Sequence, residues 1–124
     1  GQRVDVPMFE SLLQSVLGEH LGGQTYDPPT APPGYGRMLA RERRPYRTKD
    51  GYVCVLVYND KQWQAFFQVI GRPELQQDPR YATQEARSRD FQGAYALVAE
   101  EMARRSTADW IAALEAADIP VQKM

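Results

Sequence analysis

The chain has 124 residues, 43% of them apolar and 25% charged, with a net charge of −1. That length suits one domain or a little less, with roughly two-thirds of the surface of the unfolded chain hidden on folding. The balance gives no global bias toward nucleic acid or an anionic membrane, and neither is expected as a partner.

The first residues do not read as a signal peptide, and no apolar run approaches the roughly 20 residues that span a bilayer. A single cysteine, Cys54, excludes an intramolecular disulfide and fits a reducing compartment, so a cytoplasmic location is expected. The chain opens Gly1-Gln2-Arg3 without Met, and Val4-Asp5-Val6 reads as a strand end whose partners are missing. Ile119-Pro120-Val121 is again extended and apolar, so the chain is expected to be a piece of a larger protein.

The spacing predicts a helix over 7–22, with Pro7 in its first turn. Phe9, Leu12, Leu13, Val16, Leu17, His20 and Leu21 fall on one broad face, and Gly22-Gly23 ends it. Residues 27–36 hold four prolines and two glycines, which leaves no room for a regular element. A basic stretch follows, with Arg37, Arg41, Arg43, Arg44, Arg47 and Lys49 against Glu42. Asp50-Gly51 between Pro45–Thr48 and Tyr52–Tyr58 is a hairpin signal. The second strand is almost wholly apolar and is expected to be central and covered.

Asn59-Asp60 should open a helix over about 60–70 that buries Trp63, Phe66, Phe67 and Ile70, with Gly71 as its C-cap. Short turns fill 72–81. One long helix is predicted over about 84–105, with Phe91, Ala94, Tyr95, Val98 and Met102 inward. Thr107-Ala108-Asp109-Trp110 opens a last helix to about 117, burying Trp110, Ile111 and Leu114. Ile119-Pro120-Val121 can add a strand. The expected fold is α+β: a two-layer sandwich with a hairpin-based antiparallel sheet under helices, plus an N-terminal linker helix. Its divisions are 1–24 (linker helix), 25–45 (Pro/Gly/Arg-rich loop) and 46–124 (small domain).

Few residues carry chemistry. One His and one Cys cannot build the usual zinc site, so no metal is expected. His20 reads as a packed helix histidine and Cys54 as a small buried hydrophobe. Arg37 and Arg41 are candidate phosphate contacts, against a solvated edge. Tyr46 alone interleaves with the arginines, which argues against a single-strand binding platform. Gly34-Tyr35-Gly36 is a candidate mobile lid, against a simple connector. Asp60, at a strand end, is a candidate acid/base, against an N-cap.

Several strings resemble those of the family III CoA-transferases (the CaiB/BaiF family), which include formyl-CoA transferase, carnitine CoA-transferase and 2-methylacyl-CoA racemase. Gly1-Gln2-Arg3-Val4-Asp5-Val6 is similar to the family's GQ-x-VDV segment, and Pro45-Tyr46-Arg47-Thr48-Lys49-Asp50-Gly51 to its hairpin. Trp63 with Gly71-Arg72-Pro73-Glu74-Leu75, then Asp78-Pro79-Arg80-Tyr81-Ala82-Thr83 with Arg87, follow in register. Thr107, Trp110, Leu114 and Ile119-Pro120 complete the pattern.

The resemblance implies a two-domain acyl-CoA enzyme that forms interlocked homodimers. A coenzyme A thioester is its substrate, with no covalently bound cofactor, and a carboxylic acid is the acceptor. An aspartate upstream of this chain is the implied nucleophile, so the chain alone is expected to be inactive. Gly34, Tyr35 and Gly36 would match a loop that closes over that aspartate. Asp60 would match a racemase acid/base, which keeps α-proton epimerisation open as an alternative. A non-catalytic binding or oligomerisation module is a second alternative. The apolar face of the first helix is expected to drive self-association of the isolated piece.

Overall fold

The computed structural model describes residues 1–124. The chain divides into two compact units, Gly1–Leu39 and Ala40–Met124. No helix is long and apolar enough to cross a membrane.

The first unit is built on α1, Met8–Leu21, which follows Pro7. None of its residues is buried, and Met8, Phe9 and Leu12 are among its most exposed. Val4-Asp5-Val6, expected as a strand end, is exposed and forms no strand, and the Asp5 carboxylate accepts from Arg3 at 2.9 Å. A 3-10 turn over Gly22–Thr25 leads into the proline segment.

The second unit is α+β, as the periodicities predict. Strands β1 (Tyr46–Arg47), β2 (Tyr52–Val55) and β3 (Val121–Lys123) form an antiparallel sheet in the order β1-β2-β3. The register sets Tyr46 opposite Val53 and Cys54 opposite Gln122. Helices α2 (Asp60–Val69), α3 (Gln84–Arg89), α4 (Phe91–Met102) and α5 (Thr107–Ala116) supply the other layer. One core joins Val53 of the sheet to Trp63, Phe66 and Phe67 of α2, Val98 and Met102 of α4, and Trp110 and Leu114 of α5. The Trp110 indole N–H donates to the Met102 carbonyl at 2.8 Å, so the largest core side chain leaves no orphaned donor.

Three expectations change. Strand β2 is central but covered on one face only. Val53 is fully buried, whereas Tyr52, Cys54 and Leu56 are exposed. Successive side chains point to opposite faces, so an all-apolar run hides the alternation. Cys54 is therefore not a buried hydrophobe. The helix predicted over 84–105 is two helices. Asp90 sits at φ −134°, ψ 63° between them, and its carboxylate accepts from the Gly93 N–H at 2.9 Å, capping α4. Finally, Asn59 rather than Asp60 caps α2, in a reciprocal box with Gln62.

Candidate functional site

In the first unit the proline–glycine segment folds back on the C-terminal end of α1. A helix end leaves carbonyls without intrahelical partners. Here the Gly34 N–H donates to the His20 carbonyl at 2.7 Å, and the Thr30 N–H to the Gly23 carbonyl at 3.1 Å. Gly23 must be glycine, because a Cβ there would lie 2.2 Å from the Ala31 backbone nitrogen. Gly34 takes φ +90°, and its Cβ would fall 2.7 Å from the Leu39 side chain.

Glu19, His20, Gly34, Tyr35, Met38 and Leu39 line an open cavity of about 240 Å³. Two lid candidates, Gly34 and Tyr35, thus meet on the helix end, while Gly36 lies outside the lining. His20 is exposed rather than packed. Its Nδ1 lies 2.9 Å from the Val16 carbonyl. A carbonyl only accepts, so Nδ1–H is the donor of this contact. The helical pattern placed His20 on the apolar face without showing that this face is open.

In the second unit the family-like strings meet as clasps. The Asp50 carboxylate accepts from the Thr107 N–H at 2.7 Å and its hydroxyl at 2.9 Å. Thr48 and Thr107 hydroxyls lie 2.7 Å apart. These bonds, those from the Thr107 backbone and side chain first, hold the Asp50 carboxyl below its usual pKa.

Arg87 is buried. It donates to the Tyr81 carbonyl at 2.5 Å and to Gln84 at 3.2 Å, and pairs with Asp60. Its guanidinium also stands over the Trp63 ring, 5.3 Å from the centroid. Asp60 is thus at the start of α2 with one carboxylate oxygen engaged by arginine. Arg72 approaches the buried Glu101 at 3.8 Å, and Arg104 reaches the same side chain at 3.5 Å. Arg80 binds Asp78 at 2.7 Å, and these side-chain hydrogen bonds pull the Asp78 carboxyl down to about 2.

The basic stretch borders a second cavity, of about 340 Å³, beside β1. Glu42, Arg44, Pro45, Tyr46, Arg47, Tyr52 and Ala99 line it. Of the two arginines expected at phosphate, Arg41 pairs with Glu42 at 3.6 Å and Arg37 is half-buried, and neither lines the cavity. Arg44 and Arg47 do. Tyr46, read from the sequence as a strand aromatic, contributes to both the core and this wall.

The profile described as CoA-transferase family III matches residues 1–124. The chain belongs to this family. Among curated relatives, "Probable fatty acyl-CoA transferase Rv3272" of Mycobacterium tuberculosis is 35% identical over 71 residues, covering 57% of this chain and 18% of the relative. Succinyl-CoA:glutarate CoA-transferase of Mus musculus is 28% identical over 75 residues, covering 60% of this chain and 17% of the relative. The chain therefore aligns with less than a quarter of the length of either. The crystal structure of Rv3272 superposes with a TM-score of 0.64 at 26% identity, over 95% of this chain and 29% of that one. A CaiB/BaiF family protein from Brucella suis shares the fold, with a TM-score of 0.62 at 22% identity over the whole of this chain and 33% of that one.

Proposed function

We propose that this chain is the small domain of a CoA-transferase that moves coenzyme A from an acyl-CoA to a carboxylic acid, acting as an interlocked homodimer. The family match over residues 1–124 carries this reading. The nucleophile is an aspartate outside the chain. Its carboxylate attacks the thioester carbonyl and expels the CoA thiolate, giving an acyl-aspartyl anhydride. The thiolate then attacks the aspartyl carbonyl, releases the donor acid and leaves an aspartyl-CoA thioester. The acceptor carboxylate takes over by the reverse sequence, and the aspartate is regenerated.

Three carboxylates of the second unit are engaged structurally, which supports a nucleophile elsewhere. Asp50 is held by Thr107, Asp60 by Arg87 and Asp78 by Arg80. Asp50 and Asp60 each tie together distant parts of the chain, and Asp78 pairs locally with Arg80. The Gly34-Tyr35-Gly36 loop is the part proposed to close over the reacting carboxyl, and the chain alone is proposed to be inactive. The test is thioester exchange by the full-length protein with and without its upstream aspartate. Loss of exchange on aspartate-to-alanine substitution is expected, and undiminished exchange would refute the mechanism.

A further inference from the structure

We draw no further inference here: the strongest candidate, the unpartnered apolar face of α1 around Phe9, Leu12, Leu13, Val16 and Leu17, is exposed along its length, and nothing in the structure shows what covers it.

Discussion

Asp50 and Thr107 stand 57 residues apart and share two hydrogen bonds, of 2.7 and 2.9 Å, between the hairpin turn and the start of α5. A third tie, from the Lys49 N–H to the Arg105 carbonyl at 3.0 Å, runs alongside. Together they join the β1–β2 turn to the last helix. Thr107→Val keeps the volume and the backbone donor but removes the hydroxyl that meets Asp50 and Thr48. A loss of about 1–2 kcal/mol is expected in urea unfolding. No change in the midpoint would mean that the clasp does not support the fold.

Acid should weaken the same domain. Asp50 and Asp78 both have folded-state pKa values below that of an unfolded aspartate, near 3.9, with Asp78 at about 2. A depressed carboxyl contributes stability that is complete above the unfolded pKa and is lost as pH falls through the folded one. The thermal midpoint should therefore hold from pH 7 to 5 and fall between about pH 4 and 2. Asp78→Asn should flatten part of that fall. A midpoint that rises on acidification through this window would contradict the direction.

Arg87 and Asp60 should respond unequally to substitution. Arg87 is buried, faces Trp63 and serves three acceptors. Asp60 is more than half exposed. Arg87→Ala should cost about 3 kcal/mol, since it also abandons the Tyr81 carbonyl. Asp60→Asn should cost about 1 kcal/mol or less, because solvent screens the exposed partner. Equal losses from the two substitutions would show that the ion pair, rather than the burial of Arg87, dominates.

The open face of β2 can be probed chemically. Cys54 is exposed on it, so an aromatic disulfide reagent should titrate one thiol per folded chain without denaturant. Cys54→Ser should change stability by no more than about 0.5 kcal/mol, as at other surface positions. A thiol that reacts only after unfolding would place Cys54 in the core.

Much of this fold is legible in local patterns. Asp50-Gly51 marks the hairpin, the spacing of Trp63, Phe66 and Phe67 marks α2, and Gly71 marks its end with φ +73°. What local patterns miss depends on distant partners. The apolar run Val53–Val57 cannot say which of its faces is covered, because Cys and Leu are as apolar as Val. Asp90 looks like one polar residue on a helix until its carboxylate is seen to cap α4. His20 shares the apolar stripe of α1, and only the structure shows the stripe exposed. The basic stretch is plain in the sequence as a patch. That Arg44 and Arg47 line the cavity beside β1 is seen only in the structure.

Transfer and epimerisation make opposite demands on the α-carbon, and that separates them cleanly. The full-length protein should be incubated in deuterium oxide with an acyl-CoA and a free carboxylic acid, and the products followed by mass spectrometry. Coenzyme A transfer predicts the new thioester of the added acid, with no deuterium at the α-carbon of either acyl group. Deuterium uptake at the α-carbon that needs Asp60, with no new thioester, would contradict it and establish the racemase chemistry instead.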